Sequence, residues 1–305
     1  MKMMKKRKLT QSDHQQQMKS HYSSPKKRRL ILKKTHSIPQ SSLEMKMGSF
    51  YIPKENPDKP LGEDAHIYDE EFNTIAIADG VGSWARKGID AGEYARALME
   101  NALFSIQNQP KGAVDPKQVL NEAFLNTEAK GSSTACIITL NGDNSLNAAN
   151  LGDSGFMVIR QGRVVYQSPS QQHSFNCPYQ IGNGTRDTPN SAKEIVFPVE
   201  TGDIIVAGTD GLFDNMFPAE IEDVVELCLK EENSPDLMAW TIGRVARQKS
   251  RYEYSISPFT EAAMDAGYDI YDYLGGKYDD VTVVVAFIQE RNSSADSSSS
   301  SSSSS

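Results

Sequence analysis

The sequence predicts an α+β fold in which two mostly antiparallel β-sheets are flanked by pairs of helices. Short apolar runs of strand length recur through the middle of the chain, and tight turns such as 141–144 and 161–162 join several of them. Such turns favour antiparallel hairpins. The helical segments come in consecutive pairs instead of alternating with single strands, which argues against a doubly wound parallel sheet.

The individual elements follow from local patterns. Strand-like runs occur at 65–69, 73–79, 133–140, 145–151, 154–160, 163–167, 194–199, 203–208 and 281–288. Asp90 followed by Glu93 resembles a capping box and opens a helix that extends to about residue 107. Proline at the first helical position marks further helices at 116–129, 218–231 and 235–249. The apolar stripe of each helix is interpreted as a face that packs on the core.

The two ends of the chain differ in composition from its middle. Residues 1–46 contain 13 Lys and Arg against two acidic residues, whereas residues 47–305 contain 19 basic and 38 acidic residues. We expect 1–46 to be a disordered basic tail and 292–305, with its run of serines, to be a second disordered tail. Residues 47–291 are then predicted to form the folded domain.

Composition restricts the compartment and the partners. The basic segment 25–29 (Pro-Lys-Lys-Arg-Arg) indicates the nucleus, with cytoplasm, mitochondrion or plastid as alternatives. Three widely spaced cysteines fit a reducing compartment and no disulfide framework. The apolar runs are shorter than the roughly 20 residues that span a bilayer, so no membrane contact is expected. The acidic body would repel nucleic acid, and we expect a monomer.

Carboxylates recur at the edges of the strand-like runs. Asp79 follows the run 74–78, Asp210 follows 203–208, and Asp279 precedes 281–288. Carboxylates repel one another strongly in a low dielectric, so a cluster of them needs a cation. Hard oxygen ligands at converging strand ends suit Mg²⁺ or Mn²⁺, and two such ions form a centre for phosphoryl transfer or hydrolysis.

A set of short motifs resembles the metal-dependent type 2C serine/threonine protein phosphatases. In chain order the motifs are Glu63-Asp64, Asp79-Gly80, 131–135 (GSSTA), 149–154 (ANLGDS), 210–214 (DGLFD) and 279–283 (DDVTV). The resemblance covers roughly 48–290, so 47–291 is interpreted as a type 2C phosphatase-like catalytic domain. Residues 171–178 (QQHSFNCP) further resemble the branch that contains mitochondrial and plastid members.

The resemblance implies an α/β/β/α four-layer sandwich with two Mn²⁺ or Mg²⁺ ions at one end of the sheets. Asp79 would bridge the ions, the Gly80 carbonyl would help to hold one, and Asp210 and Asp279 would hold the other. Glu63 and Asp64 would act mainly through metal-bound waters, and Asp280 is the alternative to Asp279. The implied reaction is hydrolysis of phosphoserine and phosphothreonine in proteins by a metal-activated water, without a cofactor other than the ions.

Two positions depart from the family pattern. Lys59 stands where many members carry an arginine that grips the substrate phosphate, and lysine provides a point charge without a bidentate fork. Val81 stands where many members carry a histidine that acts as general acid. The loss of a general acid typically lowers the rate about 10²–10⁴-fold. A weakly active or inactive phosphatase-fold binding module is therefore the alternative function.

Other polar residues are interpreted as structural. Asp153 lies in a predicted hairpin turn, and Asp214 precedes a helix start. His66 and His173 are expected to satisfy local hydrogen bonds. Trp84 follows the glycine-rich segment after Asp79 and is expected either to pack or to line the substrate entrance.

Overall fold

The computed structural model describes residues 41–291, which form two five-stranded antiparallel sheets and two small two-stranded ones. The strands are β1 Leu43–Ile52, β2 Asp64–Asp69, β3 Thr74–Asp79, β4 Ser132–Ser133, β5 Ala135–Leu140, β6 Ser145–Leu151, β7 Gly155–Arg160, β8 Arg163–Gln167, β9 Gln172–Ser174, β10 Cys177–Pro178, β11 Ile181–Gly182, β12 Lys193–Pro198, β13 Ile204–Gly208 and β14 Val281–Glu290.

The helices lie between these strands in two groups. They are α1 Ala91–Gln107, α2 Pro116–Asn126, α3 Asp210–Phe213, α4 Pro218–Lys230, α5 Pro235–Lys249 and α6 Pro258–Asp265. Short 3₁₀ turns occur at Gly82–Lys87, Pro189–Ser191 and Ile270–Asp272. The Asp90 and Ser234 side chains cap α1 and α5 by accepting backbone N–H bonds, as expected for residues of these types before a helix.

The strands are arranged as two stacked sheets. Sheet I has the order β12-β6-β5-β3-β2 and carries α1 and α2 on its outer face. Sheet II has the order β1-β14-β13-β7-β8 and carries α4 and α5 on its outer face. The hydrophobic residues accordingly form three separate cores, two beneath the helix pairs and one between the sheets. This is the predicted α/β/β/α four-layer sandwich.

The sequence of β3 shows how one strand serves two cores. Ile75 and Ile77 are fully buried in the core between the sheets, while Ala76 and Ala78 are buried beneath the helices. Side chains alternate across a strand, so the larger residues fill the space between the sheets and the small ones allow α1 to approach. The strand is therefore apolar along its length until it reaches Asp79.

The predicted end of the basic tail at residue 46 is wrong. Strand β1 begins at Leu43 and pairs with β14 along its whole length, from Leu43 opposite Glu290 to Ile52 opposite Val281. Leu43, Met45 and Met47 are buried, so the domain includes this alternating stretch. The rest of the predicted tails, 1–40 and 292–305, lies outside the described residues, as does the basic segment 25–29.

The other predicted helices and strands are present with small differences at their ends. Helix α2 ends at Asn126 instead of residue 129. Strands β9–β11 and helix α6 were not predicted, because they are too short to show a clear period. Within 41–291, no helix has the length and apolar character needed to cross a membrane.

Candidate metal centre and active site

Asp64 and Asp79 are brought side by side in sheet I. They face each other in the antiparallel pairing of β2 with β3. The Asp79 N–H donates to Thr134 Oγ1 at 3.0 Å, which fixes the strand end against the start of β5. Gly80 follows at a point where a Cβ atom would lie 2.6 Å from the Glu63 carbonyl oxygen. Only glycine fits this close approach, which explains the Asp-Gly pair.

Asp210 and Asp279 are brought to the same end of the sandwich by sheet II. Asp210 begins α3 directly after β13, and Asp279 precedes β14, the antiparallel neighbour of β13. A Cβ atom on Gly211 would lie 1.8 Å from the Asp280 carbonyl oxygen, so these two segments meet too closely for any other residue. Strand pairing thus places at one edge carboxylates that are far apart in sequence.

These carboxylates share a cavity of about 410 Å³, here called the acidic cavity. Its lining includes Asp79, Gly80, Asp210 and Asp279, together with Val81, Ser83, Cys177, Gln180 and the basic residues Lys54, Arg86 and Lys277. The cavity therefore contains Asp79, the predicted bridging ligand, and the two predicted ligands of sheet II, Asp210 and Asp279. The two body histidines are not part of this lining, and His66 and His173 instead contact Ser49 Oγ and Asp187.

Two lysines that the sequence analysis did not identify neutralise the carboxylates. Lys277 Nζ contacts Asp210, lies 2.9 Å from Asp214 Oδ2, and lies 3.7 Å from Asp279 Oδ2. Lys54 Nζ lies 2.9 Å from Asp279 Oδ1 and 3.0 Å from an oxygen of Glu63. Two ammonium groups therefore lie among the acidic motifs and offset part of their negative charge.

The pKa values show how strongly these charges interact. Burial, and then the neighbouring carboxylates Asp210 and Asp64, raise the pKa of Asp79 well above its ordinary value. Burial lowers the pKa of Lys277, but its carboxylate neighbours outweigh burial and raise the pKa well above the ordinary value. Lys277 and Lys54 likewise outweigh burial at Asp279, whose pKa is lowered. An additional cation would stabilise the ionised form of Asp79.

Asp64 is held inside the protein. Its Oδ2 atom accepts hydrogen bonds from Thr209 Oγ1 at 2.8 Å and from Thr282 Oγ1 at 2.7 Å. Burial and the charge of Asp280 raise its pKa well above the ordinary value. One oxygen is therefore committed to sheet II, and Asp64 links the two sheets at the edge where the acidic cavity opens.

The geometry separates the roles of Asp279 and Asp280. Asp280 accepts the backbone N–H of Lys54 at 2.7 Å and that of Glu63 at 2.9 Å, and it is 2% exposed. Its carboxylate therefore fixes the loop that carries Glu63. Asp279 lines the acidic cavity, so the arrangement favours Asp279 as the ligand of the pair.

Glu63 and Lys59 are bound to each other. Lys59 Nζ donates to Glu63 Oε1 at 2.6 Å, and Glu63 is 3% exposed. Neither residue belongs to the lining of the acidic cavity. The predicted phosphate-binding role of Lys59 stays a prediction, and in this structure its ammonium is engaged by a carboxylate.

Asp153 and Asp214, which the sequence analysis interpreted as structural, lie beside the same cluster. Burial, followed by the charge of Asp210, raises the pKa of Asp153 to about 8. Burial raises the pKa of Asp214 to about 6, although Lys277 opposes the shift. The structural interpretation was therefore incomplete. Asp153 follows strand β6, which is the signal that identified Asp79 and Asp210, whereas Asp214 ends helix α3 and carries no such signal.

The donor set fits divalent cations, although the carboxylates are not grouped around a ready-made ion position. Among residues 41–291, no three His, Cys, Asp or Glu side chains are spaced to hold one ion. However, Asp210 Oδ1 and Asp153 Oδ1 are buried without a hydrogen-bond partner. Buried carboxylate oxygens are rarely left unpaired, and hard oxygen donors of this kind suit Mg²⁺ and Mn²⁺. The residues therefore fit the predicted ions.

Comparison with known proteins agrees with this site. Residues 60–240 match the family described as Protein phosphatase 2C. The chain belongs to this family. The "Putative protein phosphatase 2C 23" of Oryza sativa subsp. japonica is 39% identical over 262 residues, which cover 83% of this chain and 78% of the relative.

Two Arabidopsis thaliana relatives of this 2C-family chain are more similar in sequence. "Probable protein phosphatase 2C 55" is 46% identical over 247 residues, covering 81% of the chain and 52% of the relative. "Probable protein phosphatase 2C 80" is 46% identical over 249 residues, which cover 81% of the chain and 59% of the relative. The chain thus spans about half the length of these two curated relatives.

Solved structures support the same 2C-family fold. The photosystem II phosphatase PBCP is 31% identical with a TM-score of 0.74, and the match covers 80% of this chain and 98% of that one. The catalytic domain of the serine/threonine phosphatase PstP, in complex with two manganese ions, has a TM-score of 0.58 at 16% identity, covering 81% and 100%. The second match concerns the fold alone.

Proposed function

We propose that this chain is a Mn²⁺- or Mg²⁺-dependent protein phosphatase that hydrolyses phosphoserine and phosphothreonine in proteins. The observation that carries the proposal is the convergence of Asp79 from sheet I with Asp210 and Asp279 from sheet II on one cavity. A 2C-family fold with these carboxylates at the shared sheet edge supports phosphate ester hydrolysis better than any other chemistry of the chain.

The proposed ligands are the residues named by the family resemblance. Asp79, the Gly80 carbonyl, Asp210 and Asp279 would hold two ions, and Glu63 and Asp64 would act through water. When bound, the ions lower the pKa of a water molecule and neutralise charge on the phosphate oxygens. PstP, a structural neighbour with a similar fold, was solved in complex with two manganese ions.

The chain's own residues position the carboxylates and attract the substrate. Thr134 fixes the backbone of Asp79, and the Thr209 hydroxyl holds Asp64 across the sheets. Arg86 and Lys54 line the acidic cavity and can offset the repulsion between these carboxylates and a phosphate dianion. The rate contribution of these groups is electrostatic and does not require a side-chain nucleophile.

Two observations favour a weakly active or inactive binding module as the second candidate. Val81 lines the acidic cavity and cannot donate a proton to the leaving alkoxide. The Lys59 ammonium is engaged by Glu63 instead of facing the cavity. The complete set of carboxylates is the reason for preferring an active enzyme.

Phosphate release from a phosphothreonine peptide tests the proposed function. The full 305-residue chain is assayed with Mn²⁺, Mg²⁺ or EDTA, beside Asp210→Asn and the exposed control Asp223→Asn. We expect release that requires the metal, is lost in Asp210→Asn and is kept in the control. Release that persists in EDTA contradicts the metal-dependent mechanism. No release from folded protein that binds Mn²⁺ favours the binding module.

The nuclear location is also proposed, on the basic segment 25–29. A plastid location is the main alternative, since a structural neighbour is named a photosystem II phosphatase. A fluorescent fusion of the full chain is compared with a variant in which residues 26–29 are alanine. Nuclear fluorescence that disappears in the variant supports the proposal, and a plastid or unchanged distribution contradicts it.

A further inference from the structure

A second cavity of about 470 Å³ adjoins the acidic cavity and is here called the basic cleft. Ser83, Cys177 and Gln180 line both cavities, so the two are neighbours separated by single side chains. The other lining residues on which the argument rests are Trp84, Lys87, His173, Arg186 and Asp187. A peptide whose phosphorylated residue enters the acidic cavity would place a nearby residue at the basic cleft.

The charge of the basic cleft is opposite to that of the domain. Lys87 and Arg186 are exposed, and neither has a carboxylate oxygen within 4.0 Å among residues 41–291. Asp187 is the one carboxylate of the lining, and it is already engaged. It contacts His173 Nε2 at 2.8 Å and accepts the Gln180 N–H at 3.0 Å. Two free cations thus face the cleft in an otherwise acidic body.

Hydrogen bonds fix the floor of the basic cleft. Trp84 Nε1 donates to Ser132 Oγ at 2.6 Å, and Ser132 Oγ donates to Gln180 Oε1 at 2.6 Å. Lys87 Nζ lies 4.2 Å from the centroid of the Trp84 ring, within the range of a cation–π contact. The bonds connect three separate segments, so the cleft is preformed. Binding of a ligand therefore costs little free energy for ordering the protein around it.

We propose that the basic cleft is a substrate subsite for an anionic side chain close in sequence to the phosphorylated residue. The matching chemistry is a carboxylate or a second phosphate, recognised by Lys87 and Arg186. This inference rests on the proposed phosphatase function and adds a substrate class to it. The subsite gives the enzyme a preference for acidic or multiply phosphorylated segments, although its domain carries a strong negative charge.

The test compares phosphothreonine peptides that differ only in the residues flanking the phosphothreonine. The flanking residues are Glu, a non-hydrolysable phosphonate analogue of phosphoserine, Gln or Lys, and the full chain is assayed with Mn²⁺. Within each protein, kcat/KM for every peptide is divided by that for the Lys peptide. The charge-reversal variant Lys87→Glu/Arg186→Glu is compared with the matched control Lys193→Glu/Arg244→Glu, whose exposed residues lie on β12 and α5.

We expect wild type to prefer the Glu peptide over the Lys peptide about tenfold, as two partly exposed ion pairs allow. The preference should shrink between about 0.05 M and about 0.5 M NaCl because salt screens exposed charges. The charge-reversal variant should lose or invert it, and the control variant should keep it. A larger ratio for the phosphonate peptide than for the Glu peptide identifies a second phosphate as the ligand, and the reverse order identifies a carboxylate.

Equal kcat/KM for Glu and Lys peptides in wild type overturns the subsite while leaving the phosphatase function intact. A preference that survives in the charge-reversal variant also overturns it. No release from any peptide or from p-nitrophenyl phosphate, which needs the acidic cavity alone, overturns the proposed function together with the subsite.

Discussion

The ammonium group of Lys277 contacts the carboxylate of Asp210, although 67 positions separate the two residues. The Lys277 backbone is fixed by Asn215, whose side chain accepts its N–H at 2.9 Å and donates to its carbonyl at 2.9 Å. The lysine is therefore held where it faces the acidic cavity. Its positive charge offsets the carboxylates of Asp210 and Asp214, so the folded chain does not leave these charges unpaired.

Replacing Lys277 with methionine should destabilise the metal-free protein. The buried Asp210 and the half-buried Asp214 lose their ammonium partner, and breaking a buried pair typically costs about 3 kcal/mol or more. In EDTA we expect a melting temperature lower by several degrees, roughly 6–12 °C. Mn²⁺ should narrow the difference in melting temperature between Lys277→Met and wild type, because the ion provides the missing positive charge.

The control for this experiment is Lys230→Met. Lys230 pairs with Glu226 on the exposed face of α4, and its side chain is 68% exposed. Exposed pairs contribute little, so the melting temperature should change by about 1 °C or less. Equal melting temperatures for Lys277→Met and wild type in EDTA would show that the lysine does not compensate the cluster.

Replacing Asp79 with asparagine should abolish metal-dependent activity but stabilise the protein in EDTA. The pKa of Asp79 is raised by burial and by Asp210 and Asp64, so its ionised form is unfavourable without a cation. Removal of the charge should raise the free energy of unfolding by about 0.5–2 kcal/mol, a magnitude common for single stabilising substitutions. Thermal unfolding in EDTA measures this, with exposed Asp223→Asn as the control. A destabilised Asp79→Asn protein would contradict the prediction.

The metal-free protein should become less stable as the pH rises from about 5 to 8. The folded-state pKa of Asp153 is about 8, against 3.8 ordinarily. Between these values the folded state binds more protons than the unfolded state. The stabilisation that protonated Asp153 provides is complete below the pKa of the group in the unfolded state. It is lost as the pH rises through the pKa of the group in the folded state. The slope is at most about 1.4 kcal/mol per pH unit for this group.

Asp153→Asn tests this pH dependence directly. Urea unfolding in EDTA at several pH values should show a flatter decline for Asp153→Asn than for wild type. The exposed control Asp265→Asn should decline as steeply as wild type. Saturating Mn²⁺ should weaken the decline in wild type, because metal ligands must be deprotonated. If the free energy of unfolding of wild type and of Asp153→Asn declined equally with pH, Asp153 would not be the cause of the decline.

Asp279→Asn and Asp280→Asn should fail in different ways. Asp279 lines the acidic cavity, so its substitution should lower metal-dependent kcat/KM about 100-fold or more. Asp280 accepts two buried backbone N–H groups, so its substitution should cost about 1–3 kcal/mol of stability. Mn²⁺ titration and thermal unfolding of both variants separate the roles. If Asp280→Asn lost Mn²⁺ binding while Asp279→Asn lost only stability, Asp280 would be the ligand.

Val81→His should raise turnover of phosphothreonine peptides about tenfold or more. Val81 lines the acidic cavity, and a histidine there can donate a proton to the leaving alkoxide. Turnover of p-nitrophenyl phosphate should change less, since nitrophenolate leaves without a proton. The control is Val196→His, at a position 70% exposed on β12. An equal rise for both substrates would argue against general acid catalysis at this position.

Local sequence signals were sufficient to locate the carboxylates. Asp79, Asp210 and Asp279 each adjoin a strand-like run, and the two sheets then bring these strand ends to one edge. The expectation that divalent cations bind at this cluster stays a prediction. The lysines beside the cluster could not be predicted, because Lys54 lies 225 positions from Asp279 and Lys277 lies 67 positions from Asp210. Each pair meets only in the folded chain.

Strand β1 was missed for a different reason. Leu43, Met45 and Met47 alternate with Glu44 and Lys46 next to a basic, polar stretch, so the alternation looked like part of the tail. Its partner β14 lies at the other end of the domain sequence. The bonds from Thr209 and Thr282 to Asp64 likewise join three distant segments, and no local pattern marks them.

The most direct test of the account is calorimetric titration of Mn²⁺ into the full chain and into Asp79→Asn. Asp79 is the residue proposed to bridge both ions, and it shares the acidic cavity with Asp210 and Asp279 of the other sheet. We predict that wild type binds two ions and that Asp79→Asn loses this binding while it remains folded. Absence of binding to wild type, or equal binding to Asp79→Asn, would contradict the claim that this acidic cavity is a metal centre.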